Sequence, residues 1–489
     1  MTRALGSAAT FRHGIHPEER KEATEHLPVA RMPFVDRYVL PLSQHTGAPC
    51  RPVVRPGERV VRGQVVAEPG GFVSTTLHAP VTGRVVAIGP RPHPAGKLVE
   101  AIEIEADPFS TQELEGRLPA VDWRTCGDEE FIAQVQRAGL VGMGGAAFPT
   151  HVKYKLPEGK RIRRLVVNGC ECEPYLTADH RIMVERPEAV LRGARIVGER
   201  LSVDEIAIGV ELNKPDAIRA LRDALAHHHR LKRPTSASAG WAEGPTLPTA
   251  TSAGEDAGIP IRIVPLKVKY PQGAEKMLLH ALYGLEVPAG KLPLDVECLV
   301  NNVGTMAAVA DAFDAFLPVV ERVVTVAGPG VRRPANLLVP VGTPVRAVLD
   351  HCGGLSADTR EVVMGGPMMG MPLASLDVPV LKGTSGLLAF TEAETGVAAE
   401  YACIRCGRCV EACPQFLNPS RLARLARAGL WEELERLHLG DCVECGSCSF
   451  ACPSGIPIVQ LIRVAKSAVR ERKAKEKARA AEPKAEGAK

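Results

Sequence analysis

Two cysteine runs near the C-terminus constrain this chain more than any other feature of its sequence. Each run packs four cysteines into eleven residues, at spacings of two, two and three intervening residues, and is followed by a proline. The start of the chain shows no apolar core of a signal peptide, so we expect reduced, metal-binding thiols rather than disulfides. The first run comprises Cys403, Cys406, Cys409 and Cys413, and the second comprises Cys442, Cys445, Cys448 and Cys452.

This spacing is that of bacterial ferredoxins, in which three thiolates of a run hold one 4Fe-4S cubane and the fourth cysteine reaches the other cluster. Zinc is the alternative, but zinc sites usually combine a close pair of cysteines with a distant second pair. We therefore predict two 4Fe-4S clusters. The first would be held by Cys403, Cys406, Cys409 and Cys452, and the second by Cys442, Cys445, Cys448 and Cys413.

The remainder of the chain has the composition of a multidomain globular protein. Its 489 residues exceed what one hydrophobic core usually accommodates, and its formal net charge is only +4. The basic surplus lies mostly in residues 463–489, which gives no reason to expect a nucleic-acid-binding body. No stretch reaches the roughly 18 to 20 apolar residues of a membrane span, so we expect a cytoplasmic chain that can dock on a membrane-bound partner.

Hydrophobic patterning divides the first part of the chain into segments of different fold class. Short strands joined by Pro-Gly and Thr-Gly turns at 39–104 predict a small β-barrel or sandwich. Helical stretches alternate with β-rich runs at 164–168 and 205–210, which predicts an α/β sheet. A segment low in apolar residues interrupts this domain at about 233–258 and is typical of a disordered insertion.

The C-terminal part contains smaller units. Residues 319–392 predict strands and one short helix of a compact α+β domain. Leucines recur near a helical period at 418–439, between the cysteine runs, which predicts one packing helix. The basic tail predicts either a solvated helix or disorder.

A glycine-rich loop is the second candidate functional motif, after the cysteine runs. Gly142, Gly144 and Gly145 would let main-chain N–H groups approach a phosphate, and Lys153 would add positive charge. A dinucleotide fingerprint should follow a strand, but residues 128–137 ahead of this loop predict a helix. Taken alone, the loop is equally well explained as a flexible turn.

Three further motifs connect the loop to a known kind of site. Residues 168–179 follow a β-rich run, 270–276 open a helical stretch, and 301–305 precede another. In the same order, these motifs resemble the FMN and NADH site of the flavoprotein subunit of respiratory complex I. Residues 39–104 resemble the biotinyl/lipoyl-type hybrid fold, but the hairpin region at 70–77 lacks the lysine that carrier proteins present there.

Domain order extends the resemblance to nearly the whole chain. An N-terminal β-rich barrel-sandwich hybrid, a complex I flavoprotein-like α/β domain, a β-grasp domain of the SLBB type and a bacterial-ferredoxin-type two-cluster module together resemble the C subunit of the Rnf-type ion-translocating ferredoxin:NAD oxidoreductase complexes. The fold class is thus multidomain α/β plus α+β. The implied domains are 1–121 (arm and hybrid), 122–318 (FMN/NADH binding), 319–392 (β-grasp), 393–462 (two clusters) and 463–489 (basic tail).

The resemblance also implies roles for individual residues. This chain departs from the complex I pattern at Ala274, where the flavoprotein has the first of two paired glutamates. The glycine loop would face the flavin phosphate and the nucleotide, and asparagines and a threonine would hold the flavin. The implied contacts are Gly142, Gly144, Gly145 and Lys153 for phosphate; Asn168, Asn301, Asn302 and Thr305 for flavin; and Glu171, Glu173, Tyr270 and Glu275 for the nicotinamide side.

The implied chemistry is conversion between two-electron and one-electron transfer. NAD(H) would exchange hydride with non-covalent FMN, and FMN would exchange single electrons with two 4Fe-4S clusters, so no catalytic acid or base is required. The implied partners are integral membrane subunits and an iron-sulfur subunit that accepts electrons from ferredoxin. This chain would then be peripheral, on the cytoplasmic face of the bacterial inner membrane.

Three alternatives stay open. A cobalamin reductase of bacterial propanediol metabolism has similar parts, but its flavin domain comes first, whereas a barrel-like segment precedes the glycine loop here. The complex I flavoprotein itself has one cluster with different cysteine spacing. A non-catalytic relay protein that has lost nucleotide binding is consistent with Ala274.

Overall fold

Residues 8–31 form an N-terminal arm that contacts the second and third domains. The computed structural model describes residues 8–230, 258–396 and 399–481, so most of the predicted insertion lies outside the described residues. The arm ends in β1 (Val29–Arg31), which pairs in parallel with a strand of the third domain. The sequence grouped the arm with the hybrid domain. In the structure, β1 is instead the edge strand of the β-grasp sheet. It pairs with residues 336–338, whose outer edge would otherwise be unpaired.

The hybrid domain consists of two small antiparallel sheets that share one core. Tyr38 and Leu40 alternate with outward-facing residues, as do Ile102 and Ile104, and all four are almost completely buried. The predicted barrel-sandwich hybrid is confirmed. One sheet has the order β2 (Arg37–Pro41), β8 (Lys97–Ala106), β7 (Gly83–His93), β4 (Arg59–Val60), and the other has the order β3 (Arg51–Pro52), β5 (Val65–Glu68), β6 (Leu77–His78).

The second domain is built around a four-stranded parallel sheet, as the alternation of helices and β-rich runs predicted. Leu165 and Val167 face one layer of helices and Val166 faces the opposite layer, so the sheet is buried on both sides. Its helices are α1 (Asp128–Arg137), α2 (Thr150–Tyr154), α3 (Ala178–Glu185), α4 (Pro187–Arg200), α5 (Pro215–Arg230), α6 (Glu275–Tyr283) and α7 (Val303–Asp314), and a 3-10 turn spans Pro293–Val296.

The strand order of this sheet determines where a ligand can bind. The first strand along the chain lies between the second and the fourth, so the direction of strand addition reverses beside it. In open α/β sheets, ligands bind at such a reversal, outside the carboxyl ends of the strands. The strands, in spatial order, are β11 (Ile261–Leu266), β10 (Glu205–Glu211), β9 (Arg164–Gly169) and β12 (Cys298–Asn302).

The third domain is a mixed sheet with one short helix packed against it, as predicted. Its core combines Val324 and Val326 of the central strand with Val348 and Leu349 of the helix. The elements are β13 (Glu321–Ala327), β14 (Ala335–Pro340), α8 (Val345–His351), β15 (Thr359–Met364), β16 (Met371–Pro372) and β17 (Gly386–Thr391), followed by the turn of helix α9 (Glu392–Thr395); the spatial order is β1-β14-β13-β17-β15-β16.

The cysteine-rich module is helical, but the prediction of one packing helix between the cysteine runs is wrong. Gly429 adopts φ +67 and separates two helices, because this left-handed conformation ends a helix at little cost for glycine. Leu422 and Leu434 are buried, whereas Leu430 at the break is half exposed. The helices are α10 (Arg408–Glu411), α11 (Pro419–Arg427), α12 (Trp431–Arg436), α13 (Ser447–Phe450) and α14 (Ile458–Ala481), with a 3-10 turn at Leu439–Asp441.

Helix α14 crosses the predicted end of the module at residue 462 without interruption. The described part of the basic tail, up to residue 481, is therefore a continuation of that helix, which is one of the two predicted states. Within the described ranges, no helix is both long enough and apolar enough to cross a membrane.

We expect Gly193→Ala to destabilise the second domain. Helices α4 and α7 touch at Gly193, where a Cβ atom would come within 1.8 Å of the main-chain oxygen of Met306. Backbone atoms cannot rotate away, so the overpacking should cost about 1 to 3 kcal/mol despite the higher helix propensity of alanine. Urea unfolding measures the loss. Gly89→Ala, which has no neighbour within 4 Å, is the control, and equal stabilities of the two variants would contradict the packing argument.

Candidate cofactor sites

The predicted flavin-contacting asparagines meet at the carboxyl ends of two neighbouring strands. Strands β9 and β12 pair in register, so that Asn168 lies opposite Asn302 and Val167 lies opposite Asn301. The Asn302 side chain accepts a hydrogen bond from Gly304 N–H at 2.8 Å and caps helix α7. Two residues predicted from motifs more than 130 positions apart thus stand side by side at the sheet reversal.

The glycine loop lies over the end of β12. Gly142 N–H donates to the Phe148 carbonyl at 2.8 Å, and Met143 N–H donates to Thr305 Oγ1 at 3.0 Å. A Cβ atom on Gly144 would lie only 3.7 Å from the Asn302 side chain. The predicted helix ahead of the loop is confirmed as α1, so the loop is not the strand-to-helix turn of a dinucleotide fingerprint.

The loop keeps main-chain donors free for an anion. Among the described residues, the N–H groups of Gly144 and Gly145 have no hydrogen-bond partner. Gly145 adopts φ +109, a conformation open to glycine but strained for other residues. Free N–H groups beside the N-terminus of α7 fit a phosphate, so the donor set suits the phosphate end of a flavin nucleotide.

Lys153, the predicted phosphate contact, is held at this edge of the site. Its ammonium donates to Glu275 Oε1 at 2.7 Å and to the Val300 carbonyl at 3.0 Å. Glu275 is 44% exposed in this ion pair. A phosphate would therefore compete with Glu275 for Lys153.

Main-chain contacts fix the predicted flavin contact Asn168 and the predicted nicotinamide-side residue Glu171. Asn168 Nδ2 donates to the Gly273 carbonyl at 2.8 Å, which joins β9 to the segment before α6. The Glu171 carboxylate accepts from the N–H groups of Asp179 at 2.8 Å and His180 at 3.1 Å, at the N-terminus of α3. An acidic side chain at that end of a helix is favourable.

Glu173 and Tyr270 form hydrogen bonds with the two domains that adjoin the flavin domain. The Glu173 carboxylate accepts from the N–H groups of Met368 and Met369, each at 2.9 Å, in a β-grasp loop. Desolvation beneath that loop raises the pKa of Glu173 to about 7. The Tyr270 hydroxyl donates to the Cys445 carbonyl at 2.7 Å. The nicotinamide side of the predicted site thus contacts both the β-grasp domain and the second cysteine run.

The eight motif cysteines separate into the two predicted sets. One cavity of about 970 Å³ is lined by the first set, and a second, smaller cavity is lined by the second set. Among the described residues, no three His, Cys, Asp or Glu side chains are placed to hold a single metal ion. The first cavity is lined by Cys403, Cys406, Cys409 and Cys452, and the second by Cys413, Cys442, Cys445 and Cys448.

Sequence reasoning missed the cations that hold these loops. Lys21 of the arm is buried and donates to the carbonyls of Glu171 at 3.0 Å, Glu173 at 2.9 Å, and Leu176. Lys382 of the β-grasp domain is buried and donates to the carbonyls of Thr76 at 2.7 Å and Gly139 at 2.8 Å. These pairs are separated by 150 residues or more, so no local spacing in the sequence could have indicated them.

Four family models match successive parts of the chain. They describe an RnfC barrel sandwich hybrid domain at residues 9–108, a Nuo51 FMN-binding domain at 135–311, an SLBB domain at 323–372 and a 4Fe-4S dicluster domain at 400–456. The FMN-binding match contains all twelve predicted flavin and nicotinamide contacts, and the dicluster match contains all eight motif cysteines.

Curated relatives decide the family. The C subunit of the proton-translocating ferredoxin:NAD(+) oxidoreductase complex of Clostridium ljungdahlii is 40% identical over 87% of this chain and 86% of the relative. The chain belongs to the family of Rnf-type C subunits. The C subunit of the Na(+)-translocating complex of Acetobacterium woodii is also 40% identical, over 87% of this chain and 89% of the relative, and that of the Rhodobacter capsulatus ion-translocating complex is 40% identical over 86% and 75%.

A solved structure supports the fold alone. An NAD+-reducing [NiFe]-hydrogenase chain in the H2-reduced state superposes with a TM-score of 0.50 at 20% identity, over 72% of this chain and 63%, less than two thirds, of that chain. Membership of the family and the matched domains make this chain an oxidoreductase subunit with FMN and two 4Fe-4S clusters as cofactors.

We expect Glu173→Gln to change how stability depends on pH. The pKa of Glu173 is about 7 in the folded protein, whereas the ordinary glutamate value of 4.5 applies to the unfolded chain. The folded state therefore binds the proton more tightly. Ionisation therefore costs stability as the pH rises from about 4.5 to about 7. Glutamine keeps an oxygen for Met368 or Met369 without that cost. Relative to wild type, E173Q should gain about 1 to 3 kcal/mol at pH 8 and nothing at pH 4.

Urea unfolding at the two pH values measures this difference. The exposed Glu158→Gln is the matched control and should change stability little at either pH. A gain by E173Q that is equal at pH 4 and pH 8 would show that packing, not ionisation, is responsible.

Proposed function

We propose that this chain is the peripheral subunit through which a membrane-bound, ion-translocating ferredoxin:NAD+ oxidoreductase exchanges electrons with NAD(H). The names of its relatives supply the reaction and the coupling to ion transport. The integral membrane subunits, the subunit that takes electrons from ferredoxin, and the location on the cytoplasmic face of the membrane belong to this proposal. The observation that carries it is the convergence of the glycine loop, the paired asparagines and two cysteine sets in one chain.

FMN supplies the exchange between two-electron and one-electron chemistry. In the proposed site, the free N–H groups of Gly144 and Gly145 bind the flavin phosphate, and Gly142 closes the base of their loop. Asn302 and Thr305 position the loop against α7, while Asn168 and Asn301 face the flavin. Lys153 lies at the outer edge, where it leaves Glu275 for a phosphate.

The nicotinamide side is assigned to the segment between β9 and α3. Glu171, held by the α3 N-terminus, and Glu173, held by the β-grasp loop, have fixed main-chain positions. Tyr270 borders the same side and reaches Cys445. These residues orient a nucleotide and exclude water, and none of them has to transfer a proton.

The two cysteine sets lie at different distances from the flavin domain. Cys445 packs with Ile15 and Tyr270 in one buried cluster, and a Cβ atom on Gly446 would lie 3.0 Å from the Met368 carbonyl. Cys403 and Cys406 of the other set are exposed. We therefore assign the set of Cys413, Cys442, Cys445 and Cys448 to the flavin-proximal cluster and the set of Cys403, Cys406, Cys409 and Cys452 to the outer, partner-facing cluster.

A relay without nucleotide binding is the second candidate. Ala274 replaces one of the two glutamates of the complex I pattern, and the remaining Glu275 is occupied by Lys153. In a relay, electrons would enter and leave only through partner subunits, and NADH would not reduce this chain.

Reduction by NADH separates the two candidates. The chain is reconstituted anaerobically with iron, sulfide and FMN, then followed by absorbance and electron paramagnetic resonance with and without NADH. We expect NADH to bleach the flavin and to reduce at least one cluster. Dithionite is the control, because it should reduce the clusters in either case. A chain that responds to dithionite but not to NADH is a relay.

Paired cysteine substitutions test the proposed order of the clusters. Each double variant should retain about four of eight irons, because half the ligands of one cluster are lost. With Cys413→Ala and Cys445→Ala together, NADH should reduce the flavin but not the remaining cluster. With Cys403→Ala and Cys452→Ala together, the remaining cluster should still be reduced.

The opposite pattern would reverse the order of the two clusters. Cys126→Ser, outside both sets, is the control and should keep full iron content and NADH reduction. Iron analysis, absorbance and electron paramagnetic resonance provide the readouts.

A further inference from the structure

One buried cation approaches the glycine loop from another domain. Arg322 belongs to β13 of the β-grasp sheet, and only 4% of the residue is exposed. Its Nη2 donates to the Met143 carbonyl at 3.2 Å, within the glycine loop. Because Met143 N–H also donates to Thr305, this residue is fixed from both sides.

In the part of the chain that the structure describes, no carboxylate forms an ion pair with the guanidinium of Arg322. Its Nε has no hydrogen-bond partner among the described residues. Asp179 is the carboxylate that acts on it electrostatically, but the Asp179 carboxylate accepts from Asn302 Nδ2 at 2.5 Å and not from Arg322. Desolvation lowers the pKa of Arg322 to about 10. A buried, incompletely paired cation is costly, which indicates a missing negative charge nearby.

The surroundings of Arg322 suit an anion. Its Nη1 lies 3.7 Å from where a Cβ atom on Gly304 would be, at the N-terminus of the twelve-residue helix α7. Helix N-termini attract negative charge. A cavity of about 90 Å³ is lined by Met143, Gly304 and Arg322, and the two carboxylates in its lining, Asp311 and Glu321, are held in ion pairs with other arginines. The cation, the helix N-terminus and the glycine loop therefore converge on the same region.

We propose that Arg322 is a positioning residue for the flavin phosphate, and that its charge makes the site prefer FMN over flavins that lack the phosphate. This inference rests on the proposed flavin site and adds a contribution from the β-grasp domain to it. Arg322 acts through Met143, whose carbonyl it holds, and through its field at the α7 N-terminus. The free N–H groups of Gly144 and Gly145 remain the direct phosphate contacts.

Comparison of FMN with riboflavin tests the proposal, because riboflavin has the same ring system without the phosphate. Binding of each flavin to the flavin-free full-length chain is measured by fluorescence quenching. In Arg322→Gln, FMN affinity should fall at least tenfold, whereas riboflavin affinity should change less than twofold. An equal loss for both flavins would show that Arg322 only supports the fold of the loop and would overturn the proposal.

Two variants keep the test decisive. Arg322→Lys retains the charge and should keep the preference for FMN within about threefold of wild type. If Arg322→Gln does not fold, loss of the preference in Arg322→Lys with riboflavin binding intact would overturn the proposal. Arg62→Gln is the matched control: Arg62 is equally buried and pairs with the adjacent Glu321 at 2.5 Å, but does not contact the glycine loop. It should leave the ratio of the two affinities unchanged.

Two further results separate this inference from the proposed function. Wild-type protein that binds neither flavin would contradict the flavin site itself, whereas equal binding of both flavins by wild type would overturn only the role of Arg322. In the FMN-loaded Arg322→Gln chain, KM for NADH should stay within twofold of wild type. A raised KM with an unchanged flavin preference would assign Arg322 to the nucleotide and overturn the proposal.

Discussion

The in-register pairing of β9 with β12 is the constraint on which the cofactor site depends. It sets Asn168 against Asn302 and places the N-terminus of α7 directly after the paired residues. A shift of one residue would turn every side chain of a strand to the opposite face of the sheet. That shift would move Val166 and Val167 out of the two separate cores in which they pack, so this packing fixes the position of the asparagines.

Buried cations hold the loops that border the flavin site in fixed conformations. Lys21, Arg322 and Lys382 come from the arm and the β-grasp domain, and each donates to main-chain carbonyls of segments that border the flavin site. Burial lowers the pKa of Lys382 to about 7, and the nearby Cys50 offsets only part of that effect. Carbonyl oxygens accept hydrogen bonds from a cation in a defined geometry, so these side chains hold loop conformations that glycine-rich segments would not keep alone.

The features that could be predicted from sequence are those with a short-range pattern. Cysteine spacing separated the eight ligands into the two sets that line the cavities, and helix α1 agreed with its prediction to the residue. The prediction of one packing helix was wrong because the helix is interrupted at Gly429, and leucine periodicity does not reveal a single residue in the left-handed conformation. Lys21 and Arg322 could not be found either, since their partners lie 150 or more residues away and the side chains carry no motif.

The N-terminal arm is held by residues that lie much later in the chain. Its partners all come later in the chain: Ile15 bonds to Tyr270, Thr24 accepts from Asn336, and His13 Nδ1 lies 3.2 Å from the Cys413 carbonyl, 400 residues away. Contacts of such sequence separation form late. Residues 13–24 are synthesised before each of these partners, so they can make these contacts only after the cysteine-rich module has been made. Packing of the arm therefore has to wait for the synthesis of the cysteine-rich module, 400 residues further along the chain.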